Sequence, residues 1–566
     1  MKKIRLISFL VSATFCITPF FAQNVDPMLL QGIGPVTEGS VDYSQLPLTA
    51  RKYLSENYSN DRIVSLKKDF ENNTFEVTLD NDVNLVFSAT GTLETPRPTL
   101  KCATKFYALP GTPVMHKMRT DNPQVTMEAF NLPEGLRWNK KRSLVEGTVT
   151  KTGDYIYNIW LITPTDTIVE NIYLTVSDSL AQPTPIMGWL SWNVVEGDIS
   201  QKVVEEVADR MVSTGLKDAG YRYLIIDDLW QSDDRDLITG NPQPDPLKFP
   251  NGIKAVADYV HDKGLQFGIY SDAGDKTCAG RYGSYGYEDI DARAYASWDV
   301  DLLKYDYCHV GEATDRESAI SRYTAMGDAL KKSGRDIILY MCEWGERQPW
   351  EWGAETGATT WRCTLDTRDG WNGVDGGIGL LQSLTLMKDL WPYSGVNRFN
   401  DADMMCVGIH GKGKSSSHLV ETAGMTDDEY ATQFIMWCMW SSPLTLSFDL
   451  REPIDNADMA LITNAELIAL NQDPLGQQAE LVKETDNGLQ YYVKDLVNGD
   501  FAVAVVNLGA QPQGFTIVSG DLAPYDANSK YDLRDLKKHR DLGTFQGDLQ
   551  GNLNTHETKV YRFSRR

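Results

Sequence analysis

A (β/α)8 barrel over residues 185–477 is the fold this sequence predicts, inside a multidomain chain with a C-terminal antiparallel β-sandwich and two small N-terminal modules. Three observations predict it. Short apolar runs alternate with amphipathic stretches, as repeated β-α units do. Eight of those runs read as buried strands: Ile186–Trp189, Tyr223–Ile226, Gln266–Tyr270, Leu302–Tyr305, Ile337–Met341, Thr360–Cys363, Arg398–Asn400 and Leu444–Ser447. Several of them lead into carboxylates or indoles, as in Asp301-Leu302-Leu303-Lys304-Tyr305-Asp306 and Ile226-Asp227-Asp228-Leu229-Trp230. Such residues at the C-terminal ends of barrel strands sit at the mouth, where barrel enzymes keep their chemistry. An open doubly wound sheet is the rival, but it calls for a glycine-rich phosphate loop after its first strand. The sequence has none there.

Ahead of the barrel, Lys2, Lys3 and Arg5 precede an apolar run from Leu6 to Phe21, and polarity returns after Ala22. That order is the signature of a secretory signal over residues 1–22, so export to a periplasmic or extracellular location is expected. The run is short for a membrane anchor and lacks stop-transfer charges. Residues 41–97 read as one helix followed by three strands, Arg62–Leu66, Thr74–Leu79 and Val83–Phe87, separated by Asn/Asp turns. This α+β unit resembles PepSY-like modules. Residues 98–178 turn all-β. Leu132-Pro133-Glu134-Gly135-Leu136 and Val145-Glu146-Gly147-Thr148-Val149 resemble the signature of short immunoglobulin-like modules. Tyr155, Tyr157 and Trp160 suit a half-buried strand, with core packing the favoured role over sugar contact. Ser177 to Pro185 reads as a linker. The remainder, residues 478–566, shows Leu489–Val493, Phe501–Val506 and Val560–Phe563 as strands of a β-sandwich.

Bulk properties narrow the function. A length of 566 residues implies several domains, and 42% hydrophobic with 10% aromatic residues supplies large cores. A formal charge of −24 argues against nucleic acid, whose phosphates need basic patches. After the signal, Cys102, Cys278, Cys308, Cys342, Cys363, Cys406 and Cys438 remain. None forms a C-x-x-C pair, which speaks against structural zinc, and an odd count leaves at least one thiol free. Cys406 and Cys438 read as buried thiols.

The barrel motifs, taken together, resemble glycoside hydrolase family 27, the α-galactosidases and α-N-acetylgalactosaminidases. The carrying segments are Met187-Gly188-Trp189-Leu190-Ser191-Trp192-Asn193, Asp227-Asp228-Leu229-Trp230 and Gly268-Ile269-Tyr270-Ser271-Asp272-Ala273-Gly274. They continue through Lys276-Thr277-Cys278-Ala279-Gly280, Asp301–Asp306 with Cys308, and Cys342-Glu343-Trp344-Gly345. Trp361-Arg362 with Asp366, Asn400-Asp401-Ala402-Asp403-Met404, Ser442-Pro443-Leu444 and Asn471–Gly476 complete the set in the family's order.

That resemblance implies a retaining exo-hydrolase of terminal α-linked galactose, with no cofactor and no metal. Asp306 would be the nucleophile and Asp366 the acid/base, the two carboxyls that retention requires. Asp369 falls outside the Trp-Arg-x-x-x-Asp spacing. Lys304, two residues before Asp306 on one strand face, would help keep it ionised and bind the sugar. Asp227 and Asp228 would accept from O4 and O6, Trp192 would cover the ring carbons, and Tyr270 and Arg362 would line the pocket. Asp403 would lie near the leaving group or O2, and Glu343 would fill the space an acetamide needs. A magnesium site is the competing role for Asp227 and Asp228. Cys278–Cys308 matches a family disulfide, and Cys342–Cys363, at adjacent strand ends, is a further candidate bridge. His410, in a Gly- and Ser-rich loop, reads as a surface residue.

The sequence also departs from the family. Leu229 stands where cysteine is usual, next to the expected C6 position, and would favour β-L-arabinopyranose by narrowing that pocket. Leu190 and Phe448 replace common asparagines. The expected partner is a galactose-containing oligo- or polysaccharide; oligomeric state is left open. α-Galactosidase ranks first, with β-L-arabinopyranosidase or α-N-acetylgalactosaminidase behind it. A non-catalytic glycan-binding protein is the alternative of another class, opposed by retention of both Asp306 and Asp366.

Overall fold

The computed structural model describes residues 41–566 except 59–61, 71, 81–82, 95–97, 123–124, 164–166, 374–375, 414–423, 519–521, 523 and 527. The signal-like segment 1–22 lies outside the described residues. The chain divides into two compact units, one holding residues up to 99 with 120–125, the other holding 100–119 and 126–566.

In the first unit a helix, Leu48–Asn57, precedes a four-stranded antiparallel meander, Ile63–Asp69, Thr74–Leu79, Asn84–Ser88 and Leu93–Glu94. The sequence predicts three of those strands; the fourth is only two residues long. Alternation along Thr74–Leu79 turns Phe75, Val77 and Leu79 inward, where they meet Ala50 and Leu54 of the helix.

In the second unit, residues 105–119 and 126–176 build two antiparallel-rich sheets. One orders Lys105–Ala108, Thr167–Val176, Gly153–Ile162 and Thr126–Phe130; the other orders Leu136–Asn139, Leu144–Thr148 and Pro113–Lys117. Tyr157, Ile159 and Leu161 share the buried face of their strand. Trp160 occupies the opposite face and packs on Phe130 at 4.3 Å between rings.

The barrel follows, with β1 Met187–Leu190, β2 Tyr223–Ile225, β3 Gln266–Asp272, β4 Leu302–Asp306, β5 Ile338–Met341, β6 Thr360–Arg362, β7 Phe399–Asp401 and β8 Leu444–Leu446. From β2 to β7 each strand pairs in parallel with its predecessor, and β8 pairs with β1. A parallel bridge between Met405 and Leu446, with the Met405 N–H donating to Thr445 O at 2.8 Å, closes the gap between β7 and β8. All eight predicted strands exist, shifted by a residue or two at their ends.

A strand buried on both faces still alternates. Ile186, Leu190, Ile225, Leu302, Ile338 and Tyr340 form one small cluster. Their neighbours Met187, Trp189, Leu224, Ile226, Leu303, Tyr305, Leu339 and Met341 belong to the large core that also holds the helices. The first set fills the barrel and the second faces outward. Period two then carries the inward register of Leu302 to Lys304 and Asp306, and that of Ile225 to Asp227. The mouth of the barrel is an extension of its filling.

The C-terminal domain is a six-stranded antiparallel sheet with a two-stranded companion, Gln513–Ile517 and Leu549–Leu553. Its strands Leu489–Asp495 and Phe501–Asn507 are buried at every position. Leu489, Tyr491 and Val493 face the sandwich core, whereas Tyr492, Ala502, Ala504 and Val506 join the barrel core beside the helix Asp427–Trp440.

Buried charges tie the β module at residues 105–176 to this domain. The Asp495 carboxylate receives Lys117 Nζ at 2.7 Å and Arg142 Nη2 at 2.6 Å, and Lys117 also reaches Glu480 at 3.2 Å. Burial opposes the charge on Lys117, but Asp495 and Glu480 raise its pKa overall. Burial likewise works against Asp495, and its two cations hold its pKa below the usual value. The signs fix the working window. The Asp495 contribution is present above its unfolded pKa near 4 and is lost as pH falls through the depressed folded value. The Lys117 contribution is present below its unfolded pKa and is lost as pH rises through the elevated folded one. Asp495→Ala would leave two cations facing each other, at a cost of about 3–5 kcal/mol. A urea midpoint unchanged at pH 7 would refute this.

Candidate active site

The strand ends converge on a cavity of about 690 Å³ lined by Trp192, Asp227, Asp228, Tyr270, Lys304, Asp306 and Asp366 among others. Trp192 begins the short helix after β1, two residues beyond inward-facing Leu190. Asp227 accepts Lys304 Nζ at 2.6 Å, an ion pair spanning β2 and β4 with both partners almost fully buried. Its other oxygen takes the Asp228 N–H at 2.8 Å. Asp228 in turn accepts from the Leu229 and Ala279 N–H groups at 2.7 and 2.8 Å. Both acids are therefore oriented by backbone and cation before any sugar arrives.

Asp306 ends β4. Its oxygens accept the Tyr270 hydroxyl at 3.2 Å and the Tyr307 N–H at 3.0 Å. Tyr270 lies opposite Lys304 in the β3–β4 register, and its carbonyl holds the Trp230 indole N–H at 2.8 Å. Cys278 and Cys308 form a disulfide beside this wall, as expected. Beneath it, buried Asp272 accepts the Gly274 and Cys308 N–H groups at 2.6 and 2.9 Å, fixing the loop that carries the bridge.

Asp366 follows β6 and stays about one-third exposed at the cavity. Arg362 Nη2 contacts one oxygen at 2.9 Å and Arg368 Nη2 the other at 3.4 Å. Arg362 also pairs with Asp403 at 2.8 Å, and Asp403 accepts the Thr367 N–H at 2.6 Å. Arg362 and Asp403 were expected in the wall; the structure seats them, nearly sealed from solvent, behind Asp366, where they brace it.

Two other expectations are corrected. Glu343, expected against O2, is fully buried and pairs with Arg347 Nη1 at 2.6 Å, while its neighbour Trp344, at a left-handed φ of 61°, lines the cavity. Cys342 and Cys363 are not bridged; both are free buried thiols, as are Cys102, Cys406 and Cys438. Parity is the reason. Cys342 continues the inward register of Ile338 and Tyr340, whereas Cys363 follows outward Trp361 into the outer core.

Trp344, Met404, Glu196 and Asp198 also line the cavity, and the sequence reading assigns them no role. Of the departures, Leu229 does line it, at φ 70° and against Gly197. Leu190 fills the barrel, and Phe448 packs against Gly408. His410 lies elsewhere, paired with Asp458 at 2.7 Å, and Asp369 accepts the Tyr430 hydroxyl at 2.8 Å.

Charge is unevenly shared between the two acids. Burial pushes Asp306 up to about 7; Lys304 works against this, and the negative Asp366 and Asp227 add to it. Burial alone would raise Asp366 too, but Arg362 and Arg368 overcome it and hold that carboxyl below the usual range. Asp403 is pushed up to about 6, mainly by burial. Asp272, Cys278, Asp306 and Cys308 are the metal-like cluster among the described residues, yet both of its sulfurs are consumed in the disulfide.

A family model described as alpha galactosidase A matches residues 184–473, and another, the alpha galactosidase C-terminal beta sandwich domain, matches residues 486–563. The chain belongs to the α-galactosidase family. Within that family it is 41% identical to α-galactosidase A of Cellvibrio japonicus over 362 residues, 63% of this chain and 82% of that one. It is 40% identical to the α-galactosidase of Cyamopsis tetragonoloba over 379 residues, 67% of this chain and 85% of that one. Among solved structures, α-galactosidase I of Mortierella vinacea superposes with a TM-score of 0.63 at 32% identity, covering 68% of this chain and 97% of its own. An α-galactosidase/melibiase candidate from Bacteroides fragilis reaches 0.65 at 37% identity, covering 82% of this chain and 98% of its own.

Proposed function

We propose that this family member removes terminal α-linked galactose from oligo- or polysaccharides with retention, through Asp306 and Asp366. The carrying observation is that both carboxyls share one sugar-sized cavity with Asp227, Asp228 and Lys304. Asp227 and Asp228 accept hydrogen bonds from sugar hydroxyls, and Lys304, anchored by Asp227, donates to the same edge. Trp192 offers its ring to the apolar sugar face. Asp306 attacks the anomeric carbon while Asp366 protonates the departing oxygen, giving a β-linked galactosyl ester. Asp366 then takes a proton from water, which attacks the anomeric carbon and frees Asp306.

One proton serves the pair. The competent arrangement has Asp306 ionised and Asp366 protonated. Such a dyad titrates as a unit, so its macroscopic pKa values belong to both residues.

Leu229 in the cavity wall favours testing a second substrate, β-L-arabinopyranose, which lacks the C6 hydroxymethyl group. Nitrophenyl α-galactoside is expected to be cleaved with a kcat/KM at least tenfold above the β-L-arabinopyranoside and the α-N-acetylgalactosaminide. Preference for either of those would replace galactose as the substrate; galactose binding without turnover of any of them would favour the glycan-binding reading.

Two finer points belong with this proposal. The order of charge, apolar run and polarity over residues 1–22 supports export. The two-sheet β module at 105–176 has the alternation and Leu-Pro-x-Gly-Leu turn of an immunoglobulin-like unit, and the helix-plus-meander before it is PepSY-like in its order of elements. Lys117 and Arg142 make the β module a brace for the sandwich rather than a loose spacer.

A further inference from the structure

We propose that Arg368 is a positioning residue for the acid/base: it grips Asp366 from the side opposite Arg362 and decides which of the two catalytic carboxyls holds their shared proton. This rests on the assignment of Asp366 as acid/base.

Arg368 is built into place. Only 4% of its side chain is exposed. Nη2 reaches Asp366 Oδ2 at 3.4 Å, Nη1 reaches Asn193 Oδ1 at 3.3 Å, and Nε reaches the Gly376 carbonyl at 3.3 Å. Asn193, after β1, is itself held by Ser447, just past β8, at 3.1 Å. The arginine therefore ties the β6 loop to the seam between first and last strands. A parallel bridge between Thr367 and Ile378 draws Gly377 alongside. A Cβ on Gly377 would lie 2.7 Å from Arg368 Cγ and 2.4 Å from the Asp366 carbonyl. The backbone there has given up a side chain to let the guanidinium pass.

A second guanidinium is not needed to orient a carboxyl already held by Arg362. It works against a proton donor, because a nearby cation stabilises the ionised form. The charged and titratable groups facing Asp366 come from every side: Asp306 and Lys304 of β4, Cys342 after β5, Arg362 of β6, Asp403 after β7 and Arg368 from its own loop. Of the cations, Lys304 is engaged by Asp227 and Arg362 by Asp403. Arg368 Nη2 takes the Asp366 oxygen that Arg362 does not hold. Its positive charge stabilises the ionised form of Asp366, and its removal shifts the pair's proton toward Asp366.

The test is the pH profile of kcat/KM on a nitrophenyl α-galactoside for the full-length enzyme and the variants R368M, R368K, N193A and D366N. Neutralising the cation by R368M is expected to move the alkaline limb upward by about half a pH unit or more. R368K should return it most of the way. N193A, which keeps the arginine but frees it, should move the limb in the same direction by less, and serves if R368M does not fold. An alkaline limb that stays put in R368M, or in N193A where only that variant folds, overturns the proposal even if activity falls. D366N separates the underlying assignment: if the limb survives intact in D366N, Asp366 is not its source and the acid/base reading fails instead.

Discussion

Asp306→Asn is expected to lower turnover of nitrophenyl α-galactoside by about 10⁴-fold or more, the order seen when an enzymic nucleophile is removed. The amide keeps the size of the carboxyl and can still meet the Tyr270 hydroxyl and the Tyr307 N–H, so the cavity should persist. It cannot form the glycosyl ester. Galactose should bind within a few-fold of the unaltered protein, because Asp227, Asp228, Lys304 and Trp192 are untouched. Calorimetry with galactose and a single-turnover assay measure the two quantities separately. Turnover within tenfold of normal would remove Asp306 from the nucleophile role. Loss of binding together with turnover would instead point to collapse of the Lys304–Asp227 side of the site.

Asp366→Asn should produce a different signature. General-acid assistance is worth roughly 10²–10⁴-fold, and only where the leaving group needs a proton. An oligosaccharide alkoxide needs it; a dinitrophenolate does not. The variant should therefore lose two to four orders of magnitude on a galactosyl oligosaccharide while retaining most of the glycosylation rate on the dinitrophenyl glycoside. Hydrolysis of the ester intermediate also slows, so a burst of dinitrophenol is expected in rapid-mixing experiments. Equal losses on both substrates would mean that Asp366 positions the sugar rather than handling the proton. Because Arg362 and Arg368 would still flank the neutral amide, melting temperatures of the variant and the parent should be compared first.

Much of the barrel was legible because its strands are the apolar runs themselves. Eight apolar runs became eight parallel strands of three to seven residues, and parity along each run placed Lys304, Asp306 and Asp227 at the mouth. The same parity argument, applied one residue further, would have separated Cys342 from Cys363; adjacency of strand ends was a weaker guide than the face each residue takes. Glu343 illustrates a different gap. Its neighbour Trp344 adopts a left-handed backbone that swings the indole into the cavity and leaves the carboxylate to Arg347, four residues on. No spacing rule reveals that reversal, because a positive φ at a tryptophan depends on what surrounds it.

Arg368 shows the limit most clearly. Two residues from Asp366 along a loop, it reads as an ordinary polar residue. Its role comes from Asn193, 175 positions away, and from a glycine that makes room. Likewise, Lys117 and Asp495 are unremarkable charges until the β module and the sandwich enclose them together.

By itself, the order of residues determined the barrel, its sandwich and the placement of Asp227, Lys304 and Asp306 at the mouth, because local alternation encodes which side chains face inward. Only the folded chain decided how charge is divided between Asp306 and Asp366 and which neighbours brace them. Those depend on burial and on contacts between segments hundreds of residues apart, and electrostatic energy is set by distance in space.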